Sequence, residues 1–149
     1  MILVTGGCGF IGSNFILDWL AAHDEPVVNV DVLTYAANPK TLASIADDSR
    51  YAFERVDVCD GAALKAVFTK YQPRAVVHFA AESHVDRSIH GPMDFVRTNV
   101  MGTATLLEAS RAHWKALPDA AAKSFRFLHV STDEVYGSLA PTDAAFTET

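Results

Sequence analysis

Thiols are scarce in this 149-residue sequence, which holds only Cys8 and Cys59. Their spacing fits neither a zinc site nor a redox motif, which excludes a disulfide-built scaffold. His23, His78, His84, His90, His113 and His129 show no paired ligand spacing either, so no metal is expected. No apolar run approaches membrane-spanning length, and no membrane partner is expected. Positive charge is in the minority: 12 Lys and Arg face 18 Asp and Glu, for a net charge of −6. That balance argues against a general nucleic-acid binder. Repeats, low-complexity tracts and interdomain linkers are missing. Met1 leads straight into a β-branched run, without the pattern of a signal or transit peptide. A cytoplasmic chain with reduced thiols is therefore expected. What is present is apolar residues, 50% of the chain, at a length that suits one domain with a real core.

Ile2-Leu3-Val4-Thr5 reads as a short, buried parallel strand. Gly6-Gly7-Cys8-Gly9-Phe10-Ile11-Gly12 follows, then a helical stretch to about Ala22. Gly7, Gly9 and Gly12 fit G-x-G-x-x-G in the strand-to-helix context that this motif requires. Lacking side chains there, the backbone can turn tightly and approach a pyrophosphate, which the free N–H groups of the helix start would hold. Cys8 occupies a position that needs a small residue, and packing is expected of it rather than reactivity. Val27 to Asp31 reads as a second strand ending in a carboxylate. Its offset, 31 − 7 = 24 positions from Gly7, is near the ~20 of dinucleotide-binding units. Asp31 can accept both hydroxyls of an adenine ribose and would repel a 2′-phosphate, favouring NAD over NADP. No Lys or Arg follows it closely.

The rest alternates strand and helix. A short helix is expected within residues 38–49 and a strand over Tyr51 to Val56. A helix over Gly61 to Tyr71, a strand over Ala75 to Phe79 and a loop over Ala80 to His90 follow. Gly91-Pro92 opens a long helix to about Trp114. Leu117 to Ser124 is a loop or short helical insertion, and Phe125 to Val130 a fifth strand. This pattern predicts an α/β fold with a parallel, doubly wound Rossmann-type sheet. On the long helix, Val96, Val100, Thr103, Leu107 and Trp114 are expected to form one buried stripe. Phe95, Asn99, Gly102, Leu106 and Ala109 form a second, where Gly102 permits close approach. Asn99 either points toward cofactor or bridges to backbone. His78 and His129, in strands, read as satisfied core residues.

Ser131-Thr132-Asp133-Glu134-Val135-Tyr136-Gly137 follows the fifth strand. In open α/β sheets, ligands bind outside the carboxyl ends of the strands. Two carboxylates there serve as acid and base when their environments differ. Neighbouring residues of a regular strand face opposite ways, so both reach one substrate only if the backbone leaves strand geometry.

These segments together carry a resemblance. Gly6 to Gly12, Asp31 with Leu33 to Ala36, His78 to Ile89, Asn99 with Gly102-Thr103, and Ser131 to Gly137 resemble the dTDP-glucose 4,6-dehydratase family. This family belongs to the extended short-chain dehydrogenases/reductases. The glycine motif is shared by that whole superfamily; the runs Glu82 to Ser88 and Ser131 to Gly137 are much narrower.

The resemblance implies NAD as cofactor and a nucleotide-sugar as substrate. It implies hydride removal from carbon 4, loss of water across carbons 5 and 6, and hydride return to carbon 6. Glu134 is then the base, Asp133 the acid, and Thr132 the group at the carbon 4 oxygen. Asp133 must stay protonated to donate, which burial and the Glu134 carboxylate would favour. The implied cofactor set is Gly6, Gly7, Gly9, Phe10, Ile11, Gly12, Asp31, Val32, Leu33, Thr34, Asp57, Val58, Phe79, Ala80, Ala81, Ser83 and Thr98. Ser83 is also a substrate candidate.

The resemblance further requires a Tyr-x-x-x-Lys pair. Four residues after Tyr35, Tyr51, Tyr71 and Tyr136 stand Pro39, Arg55, Ala75 and Ala140. The pair is therefore expected beyond Thr149, as is the nucleotide-sugar-binding region, and the chain by itself is expected to be inactive. The full-length form is expected to be a homodimer. Two other readings are open: an epimerase or reductase of the same extended group, and a non-catalytic NAD-binding regulatory module.

Overall fold

The computed structural model describes residues 1–147. The chain opens with β1 (Ile2–Thr5) and α1 (Phe10–Ala22), followed by β2 (Val27–Val30) and a short 3-10 helix over Pro39–Ile45. Then come β3 (Tyr51–Glu54), α2 (Gly61–Tyr71) and β4 (Ala75–His78). The expected loop after β4 contains a helix, α3 (Val85–His90). The long helix runs as α4 (Pro92–Phe95), a π-helical stretch over Val96–Gly102, and α5 (Thr103–Ala116). The short insertion is helical, α6 (Asp119–Ser124), and leads into β5 (Arg126–His129).

The five strands of the described residues pair in parallel, in the order β3-β2-β1-β4-β5. Ile2 stands opposite Val27 on one side and Ala75 on the other. The winding reverses at β1, so a topological switch point lies between β1 and β4. The apolar runs suit this arrangement because β1, β2 and β4 are buried throughout. Side chains alternate between two cores. Ile2, Val4, Val27 and Val77 meet Ile16 and Leu20 of α1 on one face. Leu3, Val28, Val30 and Val76 meet Leu64, Val67, Phe68 and Leu106 on the other.

Two expectations about burial are overturned. On the long helix, the buried positions are Gly102, Leu106, Ser110 and His113. Val96, Val100, Leu107 and Trp114, expected to form the buried stripe, are exposed. Of the two expected stripes, the one through Gly102, Leu106 and Ala109 is the one that meets the core. Gly102 does make the close approach expected of it: a Cβ there would lie 2.7 Å from Val58 Cγ2. His129 is the second correction, since it is exposed on β5, at the edge of the described sheet. His78 does satisfy its ring, with Nδ1 2.6 Å from Thr5 Oγ1 and Nε2 3.0 Å from Thr103 Oγ1.

Candidate functional site

The parallel strands bring the loops after β1, β2, β4 and β5 to one edge of the sheet. At that edge lies a cleft of about 320 Å³. Its floor is the turn that follows β1. Gly6 has φ +70, and a Cβ on it would fall 2.6 Å from the backbone nitrogen of Ala80. Only glycine combines that conformation with that approach. Gly7, assigned above to the ligand-facing motif, turns the other way: a Cβ on it would strike Asn29 Oδ1 and Ile16 Cδ1. The tight turn toward the cleft is therefore made by Gly6, and Gly7 serves the packing beneath it.

α1 starts from Gly9 without a side-chain cap and with no acidic residue in its first turn. No described backbone carbonyl accepts from the N–H groups of Phe10, Ile11 or Gly12. These donors and the positive end of the helix are available to an anion. Phe10 and Ile11 stand exposed at the same end. Cys8 is buried, and its thiol is pushed above the ordinary range by burial and then by Asp31. That fits the packing role expected of it.

Asp31 sits just past β2 and is buried to 8% exposure. Its Oδ2 accepts from Cys8 N–H at 2.9 Å and its Oδ1 from Leu33 N–H at 2.8 Å. Each carboxylate oxygen keeps a further lone pair. The turn places Leu33 at φ +61, a left-handed conformation uncommon for a branched side chain. Leu33 packs against the α1-side core, and the pair of anchors holds the carboxylate in one orientation.

Of the cofactor residues implied by resemblance, Gly6, Gly9, Asp31, Val32, Thr34, Asp57, Val58, Phe79, Ala80, Ala81 and Thr98 line this cleft. Gly7, Phe10, Ile11, Gly12, Leu33 and Ser83 do not. Glu82, Asp94 and Arg97 line it without having been assigned there. Arg97 donates to Asp57 Oδ2 at 2.9 Å; a basic residue beside a cleft acid across 40 positions has no local sequence signal. Asn99 settles as a backbone bridge: its Oδ1 accepts from Glu82 N–H at 2.8 Å, and its Nδ2 donates to Glu82 O at 2.9 Å.

Past β5, Asp133–Tyr136 forms a 3-10 turn. Thr132 caps it, its Oγ1 accepting from Glu134 N–H at 3.3 Å. Thr132 also donates to Asp133 Oδ1 at 3.3 Å. The backbone thus leaves strand geometry at this point, which frees Asp133 and Glu134 from strict alternation. Both side chains are exposed, so the burial expected around Asp133 is not supplied by the described residues. Ser83, also exposed, follows β4, the neighbour of β5. Thr132, Asp133 and Glu134 do not line the cleft, but they leave the sheet at the same edge.

The family described as GDP-mannose 4,6 dehydratase matches residues 3–149. A dTDP-glucose 4,6-dehydratase of Neisseria meningitidis serogroup B is 56% identical over 148 residues, covering 99% of this chain and 42% of that protein. The chain thus spans less than half the length of that curated relative. Among solved structures, the dTDP-glucose 4,6-dehydratase of Streptomyces venezuelae with NAD and TYD bound is similar at TM-score 0.86 and 43% identity. The match covers 99% of this chain and 44% of that one. A UDP-Glc/GlcNAc 4-epimerase from Campylobacter jejuni is similar at TM-score 0.83 and 27% identity, covering 99% and 41%. The chain belongs to the GDP-mannose 4,6 dehydratase family, in which it resembles the N-terminal portion of the dTDP-glucose 4,6-dehydratases.

Proposed function

We propose that this chain is the NAD-binding, acid–base-bearing portion of a dTDP-glucose 4,6-dehydratase. The observation that carries the reading is a convergence at one sheet edge. An uncapped helix start, an anchored Asp31 and the turn bearing Thr132, Asp133 and Glu134 all leave the sheet there.

The residues fit a dinucleotide. Gly6 admits no side chain, and the N–H groups of the first turn of α1 would take the pyrophosphate. Asp31 would take the adenine ribose hydroxyls on its remaining lone pairs and disfavour a 2′-phosphate. Asp57 and Thr98 line the same cleft, while Ser83 and Ile11 stand outside it. The bound nicotinamide supplies reversible hydride acceptance.

This chain's own residues would handle the protons and the sugar. Thr132 would hydrogen-bond the carbon 4 oxygen. Glu134 would remove the proton from carbon 5 as Asp133 protonates the carbon 6 hydroxyl, which departs as water. An epimerase shares the fold, but inversion at carbon 4 needs no acid–base pair serving carbons 5 and 6. A purely regulatory NAD module would need neither carboxylate.

The nucleotide-sugar-binding region and the hydroxyl base with its lysine are proposed to lie outside these 149 residues. Alone, the chain should therefore bind cofactor without turning over substrate, since a missing general base typically forfeits about 10²–10⁴ in rate. The intact enzyme is proposed to be a cytoplasmic homodimer, with the exposed face of Val96, Val100, Leu107 and Trp114 in its interface. Among the described residues, no helix is long and apolar enough to cross a membrane.

The test joins this chain to the region of the Neisseria meningitidis relative that it does not cover, and assays dTDP-glucose with NAD. Turnover is expected in the parent chimera. Its Asp133→Asn and Glu134→Gln forms should accumulate NADH without releasing the 4-keto-6-deoxy product. Product release by both variants at the parental rate would refute the acid and base assignments.

A further inference from the structure

The two lips of the cleft are tied together across its mouth. One lip is the segment after β2. It is anchored at its start by Leu33 N–H on Asp31 Oδ1, and at its end by Asn38 N–H on Cys8 O at 2.7 Å. Between these anchors, Thr34 and Ala36 face the cleft and Tyr35 is 49% exposed. The other lip is the segment after β4. Ala81 and Glu82 line the cleft there, and Asn99 clamps the Glu82 backbone to the long helix. β2 and β4 lie on opposite sides of β1, so any link between their loops passes over the glycine turn.

Such a link is present. Tyr35 Oη donates to Glu82 Oε2 at 2.8 Å and lies 3.3 Å from His84 Nδ1. The Arg87 guanidinium carbon sits 3.8 Å from the centroid of the Tyr35 ring, and the His84 ring meets that ring edge-on at 5.3 Å. Three groups from one lip thus hold a single side chain from the other. Partial burial, and then Glu82, push the phenol above its ordinary range, so it stays the donor. The β2 segment is otherwise fixed at both ends, and Glu82 is fixed through its backbone. With both backbones anchored, the side-chain contacts of Tyr35 with Glu82, His84 and Arg87 are what join one lip to the other here.

We infer that Tyr35 is a positioning residue that latches the cleft shut across the glycine turn, with Glu82 and Arg87 as its catch, and so gates dinucleotide entry and exit. The inference rests on the dinucleotide reading of the cleft. A gate differs from a binding contact in its kinetics. Loosening a gate that is already closed in the free protein speeds passage in both directions. Losing a contact quickens release alone.

The test is stopped-flow binding of NADH to the protein, with displacement by excess NAD+ for the reverse rate. Tyr35→Phe keeps the ring and its Arg87 stack and removes only the hydroxyl. Losing one such hydrogen bond should raise both rates by about threefold or more. Glu82→Gln, which weakens the same bond from the other lip, should act in the same direction. Hydrogen exchange without ligand supplies a second readout: the amides of Ala36 and Ala37 should exchange faster in Tyr35→Phe than in the parent. A smaller rate change, faster release with unchanged association, or unchanged exchange overturns the latch while leaving the dinucleotide site standing. A parent protein that binds no NADH overturns the site and the latch with it.

Discussion

Lowering the pH from 7 to 5 should destabilise this fold by about 2 kcal/mol, chiefly through His78. The ring is fully buried between β1 and the long helix, held by Thr5 Oγ1 and Thr103 Oγ1. Burial, and then the nearby His129, lower its pKa from 6.5 to about 4. The folded value lies below the unfolded one. Between those values, the unfolded chain binds a proton that the folded chain refuses. Stability is therefore full above 6.5 and is lost as the pH falls toward 4. At about 1.4 kcal/mol per pH unit, the whole interval is worth roughly 3 kcal/mol, and the part above pH 5 about 2 kcal/mol. Glu25, Glu54, Asp48 and Glu108, whose pKa values are lowered by their basic partners, add their own losses only in the carboxylate range. The window from pH 6.5 to 5 thus separates the histidine from these carboxylates. Urea unfolding at pH 7, 6 and 5 measures the effect. His78→Gln should be less stable at pH 7 by about 1–3 kcal/mol, because one hydroxyl is left poorly satisfied. Its stability should then change little down to pH 5. A variant with the same pH slope as the parent would show that His78 is not the titrating group.

Three further outcomes follow from the geometry. Titration should show NADH binding at least about tenfold tighter than NADPH, and Asp31→Ser should narrow that gap, because Asp31 is the anchored carboxylate at the ribose position; equal affinities in the parent would count against its assigned role. Gly6→Ala should lose cofactor binding and roughly 1–2 kcal/mol or more of stability, since φ is +70 and the new methyl would meet the Ala80 backbone; unimpaired NADH binding would sink the account of the turn. Leu106→Ala should cost about 2–5 kcal/mol in denaturant unfolding, because this side chain is wholly buried between the long helix, α2 and the sheet; Leu107→Ala, on the exposed face, should stay within about 0.5 kcal/mol in the monomer.

Most of the fold was legible because its signals are local. β1, β2 and β4 are short, continuous apolar runs, and α2 has the limits its sequence predicts. Asp60 caps it by accepting from Ala62 and Ala63, and Gln72 ends it in a left-handed conformation. The helix in residues 85–90 was missed because six residues contain too little periodicity to separate a helix from a loop. The long helix was found with two apolar stripes, of which the one through Gly102 and Leu106 is buried and the one through Val96, Val100, Leu107 and Trp114 is exposed. Its buried side also includes Ser110 and His113, polar residues satisfied by Leu106 O and Pro73 O, which apolar patterning does not mark.

At the site, residue types alone pointed to the glycine turn, to Asp31 and to the pair Asp133 and Glu134. Each carries its chemistry in a short segment. Which glycine faces the cleft was not legible, because it depends on Asn29 and Ile16 lying beneath Gly7 and on Ala80 crossing above Gly6. Nor could the pairing of Arg97 with Asp57, or of Tyr35 with Glu82, be read from the chain, since their partners stand 40 and 47 positions away. By itself the sequence determined the placement of the strands and of most helices, parallel pairing and the chemical inventory of one sheet edge, because backbone periodicity and turn chemistry act over a few residues. Only the tertiary structure decided which groups meet, because strand order brings the loops after β2 and β4 together over the β1 turn, and no local pattern encodes that approach.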